Sequence, residues 1–317
     1  MKKQFVGEIN AGEKLDDIFI LSEKSMSQKK DGNNFLNITL GDKTGRIKGV
    51  IWDDVDRISQ RTSQGDFVHA QGSVSDYKGV LQAVIKGMEP VLPEDVEPAD
   101  YLPATDRNIE SMFERLLQVA ATIKTGCLKE LFKAFWNDKE FVNKFKTAPA
   151  AKKMHHAYIG GLLEHTLSIA LLADKVAGHY SGIDRDLLVS GAILHDIGKI
   201  LEFDYKTSID YSDQGRLLNH IVIGLEMLDE KIKSVKNFPE EKALLLKHMI
   251  VSHHGQREFG SPEPPKTIEA VLLNYIDDID SKVNGIREFM KSGDENETWT
   301  SYHRLLGRYF YRGKINS

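Results

Sequence analysis

The string Leu194-His195-Asp196-Ile197-Gly198-Lys199 carries the most information about fold and chemistry in this 317-residue sequence. It closes an apolar helical pattern that begins near residue 184, and Gly198 permits a turn there. A neighbouring histidine and aspartate can hold a divalent cation from two directions, because imidazole is a directional ligand and a carboxylate can bridge to a second ion. A single His-Asp pair is weak support, so the interpretation depends on the residues that accompany it.

Two other apolar helical patterns place a polar residue on the face that should be buried. His165 has leucine or isoleucine at the i−3, i+4 and i+7 positions, and Asp277 shares a helical stripe with Leu273, Asp280 and Asn284. Buried imidazoles and carboxylates are costly unless they are paired or ligated. The alternative is a set of separate, hydrogen-bonded core residues. The sequence favours one cation bound jointly by His165, His195, Asp196 and Asp277.

Two further elements carry histidines between these segments. His220 begins one apolar helical pattern, and His253 and His254 end the next. Their placement suits a second metal ion held by His220 and one of the His pair, with Asp196 as the bridge. We prefer His253 as that ligand. His254 then either ligates the ion or contacts a substrate phosphate.

Residues 1 to 92 show the alternation of short antiparallel strands, which are expected over residues 17–23, 34–40, 45–52, 66–76 and 79–88. A short helix is expected near residues 53–63, between the third and fourth strands. Five strands with a helix in that place are typical of a small OB-type barrel. The proline-rich stretch 93–108 then predicts an extended connector.

From residue 109 to 317 the apolar period becomes helical. Further helices are predicted near residues 125–146, 156–178, 184–197, 219–233, 239–253, 267–290 and 298–310. The fold class is therefore multidomain α+β: a five-stranded OB-type β-barrel (1–92), a linker (93–108), and an all-α domain (109–317).

Composition narrows the chemistry further. The 41% apolar fraction is enough for real cores, and the single Cys127 excludes both a disulfide framework and a Cys-rich zinc module. We expect a cytoplasmic protein with no membrane partner, because no apolar core follows Met1-Lys2-Lys3 and no stretch approaches about 18 uncharged apolar residues. The net charge of −5 argues against wholesale electrostatic binding of nucleic acid.

Local charge in the barrel is more favourable to nucleic acid. Residues 1–92 are neutral overall, with 13 Lys+Arg against 13 Asp+Glu, but the stretch from Lys24 to Lys48 has an excess of four positive charges. Its strands are those that OB-folds use for binding. Aromatic side chains there could stack on bases or belong to the core, and for Trp52 we expect the core. The candidate substrate-binding residues of the barrel are Lys29, Lys30, Phe35, Arg46, Lys48 and Tyr77.

The C-terminal tail forms a second basic strip, because no acidic residue follows Glu297. Its positive residues could guide a phosphate backbone, or they could be a solvated helix face. The strip comprises His303, Arg304, Arg308, Arg312 and Lys314.

The order of H, HD, H, HH and D resembles the HD-domain metal-dependent phosphohydrolases over roughly residues 155 to 290. With the barrel attached, the chain resembles the YhaM-type 3′-to-5′ exoribonucleases. This closer likeness is carried by Leu40-Gly41-Asp42-Lys43-Thr44-Gly45 with Trp52, Gly161-Leu162-Leu163-Glu164-His165-Thr166, His195-Asp196-Ile197-Gly198-Lys199 and Asp277-Asp278-Ile279-Asp280-Ser281-Lys282.

The resemblance implies a hydrolase that acts from the 3′ end of single-stranded RNA, with single-stranded DNA as a further substrate. It implies one or two divalent ions, with Mn²⁺ favoured over Fe²⁺, Co²⁺, Ni²⁺ or Zn²⁺. Asp196 would bridge the ions, and Lys199 would stabilise charge on the phosphate oxygens, unless it only interacts with the end of its helix. The alternatives are a phosphohydrolase of free nucleotides and a non-catalytic adaptor that binds nucleic acid. A homo-oligomer is left open.

Overall fold

The computed structural model describes residues 2–29, 32–77, 79–152, 156–291 and 297–313. The chain divides into two compact units. The first comprises Met1–Ala104 with Asp204–Asp210, and the second comprises Thr105–Phe203 with Tyr211–Ser317.

The first unit is a closed five-stranded barrel, as the alternating sequence predicts. Strand order is β1-β2-β3-β5-β4, with β3 and β5 parallel and the other neighbours antiparallel. A helix lies between β3 and β4, where an OB-type barrel has one. The bounds are β1 Lys14–Gln28, β2 Asn34–Asp42, β3 Gly45–Ile51, α1 Val55–Arg61, β4 Phe67–Tyr77 and β5 Val80–Val91.

Alternate residues of the strands fill the barrel, and Phe19, Leu21, Leu36 and Ile51 are buried there. The first strand is much longer than the sequence predicts, because it continues to Gln28 after its apolar half. The second half of β1 is polar and largely exposed, so it lacks the apolar alternation by which strands are predicted. Backbone pairing with β2 holds this half in the sheet.

The prolines of the predicted linker do not give a fully extended connector. Pro93–Asp95 and Pro98–Asp100 each form a short 3-10 turn, and Tyr101 and Leu102 are buried. The ring of Tyr101 packs edge-on against Phe67 at a centroid distance of 4.8 Å. Apolar burial after the prolines therefore folds this stretch back onto the barrel unit.

The second unit is helical. Within the described residues, no helix is both long and apolar enough to cross a membrane. Two short strands, β6 Phe203–Asp204 and β7 Asp210–Tyr211, pair as a two-stranded ribbon. The helices are α2 Ile109–Ala121, α3 Gly126–Trp136, α4 Lys139–Thr147, α5 Gly161–His179, α6 Arg185–Leu194, α7 Lys199–Glu202, α8 Asp213–Ser234, α9 Glu240–Ser252 and α10 Ile268–Lys291.

Helix α6 explains how a polar pair reaches the interior. All residues from Leu187 to Leu194 are buried, so the chain that leaves the helix is still inside the unit. Gly198, at the turn before α7, lies against the α8 backbone: a Cβ there would be 2.0 Å from the carbonyl oxygen of His220. The glycine thus permits close helix packing beside the site, besides allowing a turn.

Two helix predictions need correction. The segment 125–146 is two helices, because Asp138 caps a new one by accepting a hydrogen bond from the Phe141 N–H. The predicted helix at 298–310 is wrong. The chain there makes antiparallel bridges between Trp299 and Tyr311 and between His303 and Arg308. Its aromatic residues favour extended pairing over helix, and the turn includes Gly307 with φ 63°.

Candidate metal centre

The carboxylate of Asp196 lies at the centre of four histidines. Its Oδ2 is 3.4 Å from Nε2 of His165 and 3.3 Å from Nε2 of His195. Its Oδ1 is 3.6 Å from Nε2 of His220 and 3.5 Å from Nε2 of His253. Each oxygen of one buried carboxylate therefore faces its own pair of imidazoles, which is the arrangement a bridging ligand requires.

Two of the four imidazoles are oriented by backbone carbonyls of their own helices. Nδ1 of His195 donates to the Ala192 carbonyl at 2.9 Å, and Nδ1 of His253 donates to the Ile250 carbonyl at 2.7 Å. A carbonyl oxygen only accepts, so the proton of each neutral ring is on Nδ1. Nε2 of both rings then presents a lone pair toward Asp196.

The other two imidazoles are oriented by buried carboxylates. Nδ1 of His165 donates to Oδ2 of Asp280 at 3.0 Å, and Nδ1 of His220 donates to Oε1 of Glu202 at 3.0 Å. A carboxylate behind a histidine fixes the ring and makes its other nitrogen a better metal ligand. All four rings therefore have one nitrogen occupied and the other aimed at the same carboxylate.

Three buried atoms of this cluster make no hydrogen bond within the described part of the chain: Oδ1 of Asp196, Nε2 of His220 and Nε2 of His253. Leaving such groups unsatisfied in the interior costs about 1–3 kcal/mol each. Two lone-pair nitrogens and a carboxylate oxygen are acceptors that cannot satisfy one another. A divalent cation is the partner that would satisfy all three at once, so the residues present fit a metal ion.

The second half of the cluster is similar. Nε2 of His165 lies 3.3 Å from Nε2 of His195 and 3.4 Å from Oδ1 of Asp277. Ligand atoms of these three residues lie within 4.8 Å of one another, a spacing that could hold an ion. Both predicted metal sets thus come together, the first around His165 and the second around His220.

His253 and His254 both lie close enough to His220 to share a metal ion with it. His254 belongs with His220 and His253 to a group whose ligand atoms lie within 4.8 Å. Nδ1 of His254 donates to the Phe259 carbonyl at 2.9 Å, so its Nε2 also presents a lone pair. His253 reaches Asp196, while His254 lines the pocket described below. The choice of His253 as ligand stays a prediction.

The electrostatics of the cluster favour bound positive charge. Burial raises the pKa of Asp196, but Lys199 and the histidines lower it more, and the net pKa lies well below its usual range. Burial likewise opposes protonation of His165, yet hydrogen bonds with Asp196, Asp277 and Asp280 raise its pKa well above the usual value. A proton on His165 or a metal ion beside it would place the positive charge that these carboxylates stabilise.

Two histidines at this end of the cluster, His253 and His254, are held neutral. Burial lowers the pKa of His253, and burial together with the neighbouring His253 and His220 lowers the pKa of His254 to about 3. Neutral imidazole is the form that binds a metal ion, so no proton has to be displaced from these rings at neutral pH.

Lys199 lies beside the shared carboxylate. Its Nζ is 2.6 Å from Oδ2 of Asp196, and this ion pair outweighs burial and raises the lysine pKa. The side chain also lines the pocket over the cluster. Lys199 is therefore a charged group between the carboxylate and the space that a substrate would enter.

Two positioning residues, Asp280 and Glu202, were not selected from the sequence. Asp280 accepts hydrogen bonds from His165 and from the Ser168 hydroxyl, and its Oδ2 is 3.4 Å from Nε2 of His156. Its place on the Asp277 stripe was a usable signal. Glu202 also accepts the His220 backbone N–H at 3.1 Å, and no pattern in the sequence indicated that role.

A strained residue precedes His220. Asn219, inside α8, has φ 64° and ψ 154°, a region almost confined to glycine. Its Oδ1 accepts the Ile221 N–H at 3.0 Å. The break in the helix frees the His220 N–H to donate to Glu202. The strained backbone at Asn219 therefore helps to position His220, a candidate metal ligand.

A pocket of about 960 Å³ opens over the cluster. Its wall combines ligand candidates with other polar side chains and several apolar ones. The polar lining residues include His165, Lys199, Asn219, His220, His254, Asp277, Asp278, Ser281 and Lys282.

Most of the described barrel residues predicted to bind substrate lie on strands β2, β3 and β4. Phe35 stacks on Trp52 with ring centroids 4.9 Å apart, and Nζ of Lys29 lies 4.7 Å above the Trp52 ring. Trp52 is 40% exposed, so the expectation that it belongs to the core is wrong. Arg46 and Lys48 are exposed on one side of β3.

The remaining barrel candidates are scattered. Tyr77 is exposed at the end of β4, next to the turn into β5, and Lys30 lies outside the described residues. Lys24 contributed to the predicted basic excess, but its Nζ donates to the carbonyls of Ser59 and Thr62 at the end of α1. Lys24 therefore stabilises the packing of β1 against the end of α1.

Family models match segments of both units. Residues 162–282 match a family model for the HD domain, and residues 21–91 match a model described as an OB-fold nucleic acid binding domain. Residues 94–181 match a model described as a putative helicase. The chain therefore combines an OB-fold with an HD domain, the domain of a metal-dependent phosphohydrolase superfamily.

Solved structures that are similar to this chain each match between a quarter and a third of it. The second OB-fold domain of replication protein A from Methanococcus maripaludis is 19% identical, with a TM-score of 0.24 over 29% of this chain and 95% of that chain. A mitochondrial single-stranded DNA binding protein from S. cerevisiae is 13% identical, with a TM-score of 0.24 over 26% of this chain and 96% of that chain.

Proposed function

We propose that this protein is a metal-dependent 3′-to-5′ exoribonuclease of the YhaM type, which hydrolyses single-stranded RNA to 5′-mononucleotides and accepts single-stranded DNA as a further substrate. One observation carries the hydrolase: four histidine Nε2 atoms surround the two oxygens of Asp196, while all four Nδ1 atoms are hydrogen-bonded. The polarity and the choice of RNA rest on the resemblance described above.

The ligand sets follow from the two sides of the carboxylate. His165, His195, Asp277 and Oδ2 of Asp196 would hold one ion. Oδ1 of Asp196, His220 and His253 would hold the second, with His254 as a further ligand or a phosphate contact. Mixed nitrogen and carboxylate donors suit Mn²⁺, with Fe²⁺, Co²⁺, Ni²⁺ and Zn²⁺ as alternatives. Bound ions would supply activation of a water molecule and neutralisation of phosphate charge.

The chain's own residues prepare the pocket for an anion. Lys199 carries a fixed positive charge at the pocket wall and would stabilise charge on the phosphate oxygens. Asp280 and Glu202 hold His165 and His220 in place, which limits reorganisation when a substrate enters.

The barrel supports a polymer as the substrate. Its OB-fold match is to a nucleic acid binding domain, and Phe35, Trp52 and Lys29 bring aromatic rings and a positive charge together. Stacking on aromatic rings together with backbone contacts from lysine or arginine is how OB-folds hold single strands. Arg46 and Lys48 on β3 would supply the phosphate contacts.

A second candidate is a phosphohydrolase of free nucleotides. It is favoured by the pocket, because about 960 Å³ lies within the range of small-ligand sites. It would use the same metal ligands, so the length of the substrate separates the two functions.

The test uses a 5′-labelled oligoribonucleotide with Mn²⁺ and, in parallel, deoxynucleoside triphosphates. We expect a ladder of progressively shorter labelled products and release of 5′-mononucleotides. Hydrolysis of the triphosphates with an intact oligonucleotide would establish the second candidate. If the wild type and the purified Asp196→Ala protein both bind the oligonucleotide, have the same metal content and hydrolyse neither substrate, the chain is an adaptor. Glu130→Ala, at an exposed glutamate on α3, is the matched control.

A further inference from the structure

The segment 297–313, here called the aromatic–arginine segment, forms a compact paired turn after α10. The Thr300 N–H donates to the Phe310 carbonyl at 2.9 Å, and the His303 N–H donates to the Arg308 carbonyl at 2.9 Å. These bonds pair the two arms of the segment, so its side chains have defined inner and outer faces.

The inner face is anchored on the end of α10. His303 packs edge-on against Phe289 with ring centroids 4.5 Å apart, and Phe310 lies 6.5 Å from the same ring. Nε of Arg312 donates to the Met290 carbonyl at 2.8 Å. Thr300, in the first arm, is buried, and its hydroxyl accepts the Phe310 N–H at 3.0 Å.

The segment also displays four aromatic rings, each between 50% and 58% exposed. Aromatic side chains bury large areas when they stabilise a fold, so four exposed rings in one short segment indicate a binding surface. The rings meet in two pairs at interplanar angles of 56° and 63°, so neither pair covers its faces by stacking. They are Trp299, Tyr302, Tyr309 and Tyr311.

The charge of the segment selects the partner. It contains Arg304, Arg308 and Arg312, and no aspartate or glutamate from residue 298 to 313. Exposed rings with positive charge between them suit bases and phosphates. A second copy of the chain would place arginines against arginines, because a symmetric dimer presents the same patch on both sides. The chemistry therefore favours a single-stranded nucleic acid.

The turn of the segment borders the pocket over the metal centre. Leu305 and Leu306, between the arms, line that pocket together with His165 and Asp277. A strand that lies along the segment can thus enter the pocket directly.

We propose that the aromatic–arginine segment is a second binding surface for single-stranded nucleic acid, separate from the barrel. It stacks bases on Trp299 and its neighbouring tyrosines and contacts phosphates through Arg304 and Arg308. It holds the part of the strand next to the nucleotide in the pocket. The position of the bound strand relative to the pocket rests on the proposed function, but the binding itself does not.

The test measures binding by fluorescence anisotropy, with the full chain and a labelled single-stranded oligonucleotide of about 12 nucleotides. EDTA prevents hydrolysis, so binding is measured whether or not the protein is a nuclease. The double variant Trp299→Leu and Tyr302→Leu keeps apolar side chains but removes two stacking rings. We expect its dissociation constant to rise about tenfold or more. Tyr180→Leu, at an aromatic residue of similar exposure beyond α5, should leave the dissociation constant unchanged.

A second measurement addresses the arginines. Arg304→Gln with Arg308→Gln should reduce the slope of log affinity against log salt concentration by about one to two, because each lost phosphate contact removes roughly 0.7. The melting temperature and the metal content of each variant report whether the unit is still folded. Trp299→Phe keeps a stacking ring, so this variant should have most of the wild-type affinity. Its result tests the proposal even if the double variant unfolds.

Two results would overturn the proposal. One is an unchanged dissociation constant for both the aromatic and the arginine variants. The other is a fall in oligomeric mass when Trp299 and Tyr302 are replaced, which would make the segment a contact between copies of the chain. A protein that binds through this segment but does not shorten RNA would refute the nuclease and leave this inference standing.

Discussion

The candidate metal centre and the outer face of the barrel use polar residues in opposite ways. At the metal centre each imidazole is buried and held by a second hydrogen bond, for example by Asp280 or Glu202. On the barrel, Arg46 and Lys48 project from β3 into solvent. The comparison teaches that burial commits a polar residue to a partner, whereas exposure leaves its role to be decided by a ligand.

The largest effect should come from the residue that both halves of the metal centre share. Asp196→Asn keeps the shape of the side chain but removes the charge that two ions would share. We expect activity to fall on the order of 10³-fold or more. Metal content, measured by elemental analysis of the purified protein, should fall for both ions. A variant that retains full metal content would show that the two oxygens of Asp196 do not bridge.

The next effect separates the two halves of the metal centre. Asp280→Asn removes the acceptor charge behind His165, and Glu202→Gln does the same behind His220. Each change should weaken metal binding about 10- to 100-fold, because the histidine ring that donates to the altered side chain becomes less well oriented and less basic. Metal titration should show one weakened ion in each variant, and a different one. Loss of both ions in either variant would mean that the cluster binds as a single unit.

The buried half of this comparison was largely predictable. His165 and Asp277 lie on apolar helical faces, where a polar side chain requires a partner, and this requirement is visible as a violation of the apolar period. Asp280 lies on the same helical stripe, but the stripe alone does not indicate that Asp280 orients His165. Glu202 could not be selected, because its function depends on the break at Asn219 in α8, which no helical period reports.

The exposed half was less predictable. Lys24 and Lys48 look equivalent in the sequence, yet Lys24 folds onto the end of α1. Exposed aromatic residues pose the same difficulty: Trp52 was expected in the core, and the C-terminal aromatics were expected on a helix. Strand pairing and turns decide which side such residues face, and those depend on long-range contacts.

Replacing these two lysines separates binding from folding. Lys48→Ala should weaken single-stranded RNA binding about two- to fivefold at moderate salt and reduce its salt dependence, because one phosphate contact is lost. Lys24→Ala should leave binding unchanged and lower the free energy of unfolding by about 1–2 kcal/mol, since two helix-end carbonyls lose their donor. Anisotropy and urea unfolding measure the two quantities. If both variants bind RNA equally weakly, the basic stretch acts through its total charge and not through individual side chains.

The smallest effect concerns a histidine outside both regions. Burial and the nearby Lys266 lower the pKa of His248 below its usual 6.5, and its Nε2 accepts the Lys266 backbone N–H at 2.8 Å. The neutral ring makes this bond, so its stabilisation is complete above the unfolded-state pKa and is lost as the pH falls through and below that value. Between about pH 7.5 and about pH 5, His248→Ala should therefore show a smaller loss of stability than the wild type, by less than about 1 kcal/mol. Thermal unfolding at the two pH values measures this difference. An equal loss of stability in both proteins would assign the acid sensitivity to the buried histidines of the metal centre. In that case, excess metal ion should suppress the protonation of those histidines.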